Sequence, residues 1–360
     1  MAKPGKITWR SPSNIALVKY WGKRGIQLPV NPSVSMTLAN CYTETTVEYK
    51  TKNKKDGPSF SLLFQGKKNT RFEKKISRFL AIAAKELPAL NSLHLDINSR
   101  NSFPHSAGIA SSASALSSLA LCLCSIEKEI LGNNSDDKVF FRKASYLSRL
   151  GSGSACRSVY GSWALWGKTT GITDSSDEYA IPVNHLINKK FNDYYDAILI
   201  VNSGEKQVTS SLGHKLMESN PYKETRANTG KLNTVNLINS LKSGDEKMFR
   251  DIVEYEAANL HAMFLTSKPH FVLIKPETLL ILNKLKQYRD ETSLEFAFTL
   301  DAGPNIHILY PGNIREKMLS FIKTDLAQFC EDAKWIEDRI GEGPELINIM
   351  EEELKINLLK

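Results

Sequence analysis

The sequence is poor in the residues that build covalently or metal-pinned folds. It has five cysteines in 360 residues, at positions 41, 122, 124, 156 and 330. Their number is odd, no CxxC pair occurs, and Cys122 and Cys124 sit in an apolar helical stretch. That argues against a disulfide framework and leads to an expectation of reduced, buried thiols in a cytoplasmic protein. HExxH and paired-histidine spacings are absent, so no dedicated protein metal site is expected. An apolar signal region is missing, and no hydrophobic run is long enough to span a bilayer, so no membrane partner is expected. Charge of one sign does not dominate: the net charge is +8, and the lysines are scattered. The small clusters Lys52-Asn53-Lys54-Lys55 and Lys67-Lys68 read as solvated loops, so no nucleic acid is expected. Neither a Walker A loop nor GxGxxG occurs, and no internal repeat is visible.

What is present is an ordinary globular composition, 41% hydrophobic and 24% charged. A chain of this length can bury a large core and is expected to form two domains, residues 1–188 and 189–360. The mild positive balance suits a small anionic substrate.

The central feature is Asn101 to Ala115, a loop of small residues. It follows an alternating segment, Leu93 to Ile97, which reads as a strand. It runs into Leu116, Leu119, Ala120 and Leu123, one apolar face of a helix. Small side chains let a ligand approach the backbone, and a helix start supplies N–H groups and a positive dipole end. The arrangement suits a phosphate. The same residues also suit a capped helix packed tightly on a sheet.

Upstream, Ile7 to Arg10, a turn at Ser11-Pro12-Ser13, and a buried strand from Asn14 to Tyr20 are expected. Lys19, Tyr20 and Lys23 then cluster at a strand end, where they can converge on an anion or simply be solvated. Asn31 to Leu38, Thr45 to Tyr49 and Phe60 to Phe64 read as strands, with a polar hairpin tip at 52–58. Helices are expected from Phe72 to Leu87 and from Lys138 to Leu150, the second capped by Gly151. A second loop of glycines and hydroxyls follows, Gly151-Ser152-Gly153-Ser154-Ala155-Cys156-Arg157-Ser158. Ser154 could cap a new helix, and Arg157 adds a guanidinium to an anion cradle.

In the second half, Asp196 to Val201 reads as a buried strand, followed by a polar connection through Ser211. Helices are expected at 222–241, 245–264, 276–288 and 316–329, and strands at 296–300 and 306–310. Asp301-Ala302-Gly303-Pro304-Asn305 joins those two strands. An aspartate there can face a cleft, or it can cap its own turn. The histidines form no motif.

Four stretches resemble the motifs of the GHMP kinase superfamily, and within it the diphosphomevalonate decarboxylase family. They are Asn-Ile-Ala-Leu-Val-Lys-Tyr-Trp-Gly-Lys (14–23), Phe-Pro-His-Ser-Ala-Gly-Ile-Ala-Ser-Ser-Ala (103–113), Gly-Ser-Gly-Ser-Ala-Cys-Arg-Ser (151–158) and Asp-Ala-Gly-Pro-Asn (301–305). The resemblance implies an α+β fold, with an N-terminal domain like domain 2 of ribosomal protein S5 and a C-terminal ferredoxin-like α/β domain. It implies ATP-dependent decarboxylation of 5-diphosphomevalonate to isopentenyl diphosphate, with ATP and Mg2+, in isoprenoid biosynthesis by the mevalonate pathway. A phosphomevalonate decarboxylase or another GHMP small-molecule kinase would use the same loops. By the same resemblance, Asp301, Lys19 and Ser210 are the expected catalytic residues. Asn14, Tyr20, Lys23, Ser152, Ser154 and Arg157 are expected to bind the substrate. Ser106, Gly108, Ala110, Ser111 and Ser112 are expected to bind ATP, and Lys206 is the candidate lid lysine. A homodimer is carried over as an expectation. The loop after Val201 departs from the family pattern, with Glu205 in place of a lysine and His214 in place of a methionine.

Overall fold

The computed structural model describes residues 3–53, 56–104, 109–132, 136–204 and 208–347. Strands β1 (Gly5–Ala16), β2 (Lys23–Arg24), β3 (Leu28–Pro29), β4 (Ser33–Thr51) and β5 (Ser59–Phe64) precede helix α1 (Thr70–Glu86). Strand β6 (Leu93–Asn101) leads into α2 (Ser111–Leu131) and α3 (Asp137–Gly151). Strands β7 (Trp163–Trp166) and β8 (Ala180–Pro182) complete the first half. The second half runs β9 (Tyr194–Leu199), α4 (Ser210–Glu218), α5 (Lys223–Ser243), α6 (Glu246–Leu265), α7 (Pro276–Thr292), β10 (Ala297–Leu300), β11 (Ile306–Pro311), α8 (Arg315–Phe321), β12 (Trp335–Arg339) and β13 (Glu345–Leu346).

Two sheets carry the molecule. The first has seven strands, with β13-β1-β4-β6-β5 as its main path and β7 and β8 branching from β4. The second is four-stranded in the order β10-β11-β9-β12 and antiparallel throughout. Together with the helices between its strands, that order is the ferredoxin-like arrangement. The expected α+β class is therefore what the chain adopts.

Helix α2 lies across the first sheet, and its serines are part of the packing. Ser117 Oγ lies 2.5 Å from Ser11 Oγ, Ser114 Oγ 2.6 Å from Thr43 Oγ1, and Ser118 Oγ 2.6 Å from Thr45 Oγ1. All six hydroxyls are buried, so each pair satisfies groups that would otherwise be costly to bury. Around them, Leu116, Leu119, Leu123 and Ile126 join Phe79, Leu80 and Leu147 in one apolar core. A second core spans both sheets, with Ile15, Met36 and Trp163 against Ile198, Leu237 and Phe249. Asp338 of β12 ties the sheets further, its carboxylate accepting the N–H groups of Ala39, Asn40 and Cys41 at 2.8–2.9 Å.

Several local expectations change. Ser11-Pro12-Ser13 is a bulge within one continuous strand, with the register to β4 shifting between Pro12 and Asn14. A bulge takes a proline and re-aims the next side chain, here Asn14. The two strands expected within 31–49 are one strand, β4. The expected hairpin at 52–58, of which residues 54 and 55 lie outside the described residues, is a crossover, because β5 pairs in parallel with β6 and not with β4. Gly151 is the last residue of α3 and not its cap; a Cβ there would come within 2.7 Å of Phe79, so close packing is what requires glycine. Ser154 caps nothing: 153–159 is a 3-10 turn entered from Ser152. The last expected helix ends as an α-helix at Phe321 and continues as a π turn and a 3-10 turn.

Candidate active site

The bulged end of β1 brings Asn14 under the 153–159 turn. Asn14 Nδ2 donates to Ser158 Oγ at 2.7 Å, and its Oδ1 accepts from Arg157 Nη2 at 3.3 Å. Arg157 is 2% exposed, and its Nε and Nη1 have no partner among the described residues. Burial lowers its pKa, opposed by Cys156, Asp301 and Tyr20, yet a guanidinium stays charged. A buried cation with two open donor positions is a costly arrangement that an anion would relieve.

Beyond Ala16 the chain leaves the sheet, the Leu17 N–H still bonding the Val34 carbonyl at 2.8 Å. Lys19 is then buried at 2% exposure, and its Nζ meets Asp301 Oδ1 at 2.9 Å. Asp301 follows β10, and its side chain is 28% exposed, so the pair reaches an open face from a buried base. Lys19 is thus paired with Asp301 and Asn14 with Arg157, and the Asp301 charge acts on the Arg157 guanidinium.

Tyr20 is packed between Trp166 and His214, with ring centroids 4.6 and 4.4 Å away. Gly153 makes this possible, because a Cβ there would lie 2.8 Å from both Tyr20 and Trp166. Burial raises the Tyr20 phenol, so it acts as a neutral O–H group. Ser152 and Ser154, which flank Gly153 in sequence, are half-buried, and Ser152 Oγ lies 3.4 Å from Ser112 Oγ. That contact joins the two small-residue loops. Lys23 is half-buried in β2.

Helix α2 begins after Ala110, which adopts a left-handed conformation (φ 41°, ψ 41°) and provides no side-chain cap. An alanine there is strained by about 1–2 kcal/mol, and such strain gathers at functional sites. Ser13 Oγ anchors the approach by donating to the Ile109 carbonyl at 2.5 Å. Ser111 and Ser112 are half-buried on the first turn. Ser106 and Gly108 lie outside the described residues, as do Glu205 and Lys206. Ser210 is exposed at the first position of α4. Among the described residues, no group of three or more His, Cys, Asp or Glu could hold a metal ion. The hydroxyls of Ser111 and Ser112 are oxygen donors of the kind magnesium accepts when it arrives on a nucleotide.

Three residues around Lys19 had no signal in the sequence. Glu256 Oε2 of α6 accepts the Lys19 N–H at 2.9 Å. Arg226 of α5 bonds Glu256 at 2.9 and 2.7 Å and donates to the Lys19 carbonyl at 3.0 Å. His261 of α6 is buried near Lys19; its pKa falls to about 4, chiefly through burial, with the Lys19 charge adding to the effect. Isolated charges on helices look like solvated faces until the fold buries them.

Residues 11–179 match the family model described as "Diphosphomevalonate decarboxylase-like N-terminal domain", and residues 197–356 match "Mevalonate 5-diphosphate decarboxylase C-terminal domain". A diphosphomevalonate decarboxylase from Ganoderma lucidum is 30% identical over 329 residues, covering 85% of this chain and 78% of that protein. The chain belongs to the diphosphomevalonate decarboxylase family. The similarity extends to vertebrate members: the diphosphomevalonate decarboxylase of Danio rerio is 30% identical over 318 residues, covering 83% of this chain and 74% of that one. Among solved decarboxylase structures, the mevalonate diphosphate decarboxylase of Staphylococcus aureus superposes with a TM-score of 0.81 at 28% identity, covering 96% of this chain and 99% of the other. A complex described as "MDDEF in complex with MVAPP, AMPPCP and Magnesium" superposes with a TM-score of 0.79 at 29% identity, covering 96% of this chain and 100% of the other.

Proposed function

We propose that the chain carries out the ATP-dependent decarboxylation of (R)-5-diphosphomevalonate, giving isopentenyl diphosphate, ADP, phosphate and carbon dioxide. The observation that carries this reading is the Lys19–Asp301 pair standing beside Arg157, a buried cation with two open donor positions. A tertiary alcohol is a crowded nucleophile, and a carboxylate held against it can orient it and take its proton. Asp301 has that role here, and the Lys19 ammonium keeps its charge in place. The C3 oxygen then attacks the terminal phosphorus of ATP, and ADP leaves. Cleavage of the C3–O bond releases phosphate, and the electrons of the C1–C2 bond form the new double bond as carbon dioxide departs. The first turn of α2, with Ala110, Ser111 and Ser112, receives the nucleotide phosphates. Magnesium bound with the nucleotide supplies charge neutralisation across the phosphate oxygens.

Tyr20, Lys23, Ser152 and Ser154 are the proposed contacts to the substrate's diphosphate. The resemblance implies that Arg157 joins them. Its bond to Asn14 and its electrostatic coupling to Asp301 favour a place nearer the reacting end, where a carboxylate would occupy its open donors. Ser210 is proposed to approach the transferred phosphate from the start of α4. The division at 188/189 is part of the same proposal: it falls between β8, which ends at Pro182, and β9, which opens the second sheet at Tyr194, while β13 returns from the second half to pair with β1 in the first sheet. Five buried free thiols suit a reducing, cytoplasmic compartment. A homodimer is proposed on family likeness alone, and sedimentation tests it.

The test of function is direct. The purified chain is given ATP, Mg2+ and either 5-diphosphomevalonate or 5-phosphomevalonate, and carbon dioxide and ADP are measured. The diphosphate substrate should yield both products in equal amounts. Preference for the monophosphate, or ADP without carbon dioxide, would replace the reading by one of its two relatives.

A further inference from the structure

Lys19 is held at its main chain by buried polar side chains. Its N–H and its C=O are both held by side chains: Glu256 Oε2 accepts the first at 2.9 Å, and Arg226 Nη2 and Asn31 Nδ2 donate to the second at 3.0 and 3.2 Å. Asn233 Nδ2 braces Glu256 from the other side at 2.6 Å. Glu256 is fully buried and Arg226 is 2% exposed.

As a stabilising device this cluster is poor. Desolvating a buried ion pair costs several kcal/mol per ion in rough terms, and apolar replacements of similar volume are often neutral or better. Arg226 Nε also has no partner among the described residues. What the pair does supply is direction. Two helices of the second half grip both main-chain polar groups of one residue in the first half, and that residue's side chain meets Asp301. We infer that Glu256 and Arg226 are positioning residues for catalysis, fixing the Lys19 backbone so that its ammonium holds the Asp301 carboxylate at the reacting centre.

This rests on the reading of Lys19 and Asp301 as catalytic, and Lys19→Met is therefore measured in parallel. The test set is Glu256→Gln, the apolar double variant Glu256→Met/Arg226→Met, and Asn233→Ala, each assayed for kcat, both KM values and thermal midpoint. Misplacing a reacting group by about 1 Å can cost on the order of a hundredfold in rate. Glu256→Gln should therefore lose about ten- to a hundredfold in kcat, with both KM values within about threefold of wild type. The double variant should melt close to wild type and still lose kcat, a separation that a merely structural role does not produce. Should neither fold, Asn233→Ala loosens Glu256 alone, and a kcat loss of about two- to fivefold in a fully folded protein supports the inference. A kcat per folded molecule within twofold of wild type across the folded variants, with Lys19→Met inactive, overturns the inference alone. Normal turnover by Lys19→Met instead overturns the catalytic reading beneath it.

Discussion

His214 Nδ1 accepts the Gly22 N–H at 3.1 Å, and so ties the helix that begins at Ser210 to the segment that carries Tyr20 and Lys23. The imidazole lies between Tyr20 and Trp21, with centroids at 4.4 and 4.9 Å. An acceptor nitrogen must be unprotonated, and burial, with Lys23 adding to it, brings the His214 pKa down to about 3. His214, where the resemblance implies a methionine, therefore fills the site as a neutral ring and accepts a hydrogen bond stronger than a thioether sulfur would.

That environment predicts an acid-side loss of stability. The unfolded histidine titrates near 6.5. With the folded value depressed, the unfolded chain binds more protons below that pH. Stability is full above about 6.5 and falls as pH drops toward about 3 for His214. His261, brought down to about 4 by burial, contributes in the same direction. Urea unfolding between pH 7 and pH 4.5 should show a slope reduced by about one proton in His214→Met. An unchanged slope would mean that His214 is protonated in the folded protein.

Asp301→Asn should keep the fold and both ligands and lose nearly all turnover. The swap is close to isosteric, but it removes the charge that meets Lys19 and the proton acceptor. A positioned base contributes about 10²–10⁴ in rate. Melting curves and steady-state kinetics on one preparation decide the matter. A well-folded variant running above a tenth of the wild-type rate ends the assignment.

Arg157→Ala should chiefly weaken substrate binding. The side chain is buried with two open donor positions, so a charge-assisted contact worth roughly 1.5–3 kcal/mol is lost, about ten- to a hundredfold in affinity. Nucleotide affinity should change little. Calorimetry with each ligand separates the two. Lost ATP binding with intact substrate binding would reverse the roles of the two small-residue loops.

Gly213→Ala should destabilise the contact between α4 and the Tyr20–Lys23 segment. A Cβ at 213 would lie 2.4 Å from the Trp21 ring, which is itself packed against Phe264. Overpacking of this kind costs about 1–3 kcal/mol, more than alanine gains by its helix propensity. Tryptophan fluorescence should shift, and the thermal midpoint should fall. A midpoint at or above wild type would show that α4 can move away from Trp21 freely.

Much of this protein is legible along the chain, because the decisive signals are local. Alternation marks β6, the 3.6-residue spacing of Leu116, Leu119, Ala120 and Leu123 marks α2, and small residues mark the loops where backbone and ligand must come close. The motifs at 14–23, 103–113, 151–158 and 301–305 carry the family and name most of the candidate site. What pattern cannot carry is pairing between distant segments. Lys19 and Asp301 are 282 residues apart, and only chain closure puts them 2.9 Å from each other. β5 joins β6 in parallel because the sheet has an edge to fill, and no residue in the expected hairpin announces it. Glu256 and Arg226 have the composition of solvated helix faces; they become a buried clamp because two helices pack over the segment after β1. Local sequence sets which residues can do chemistry, and the long-range packing that closes the chain decides which backbone groups hold them still.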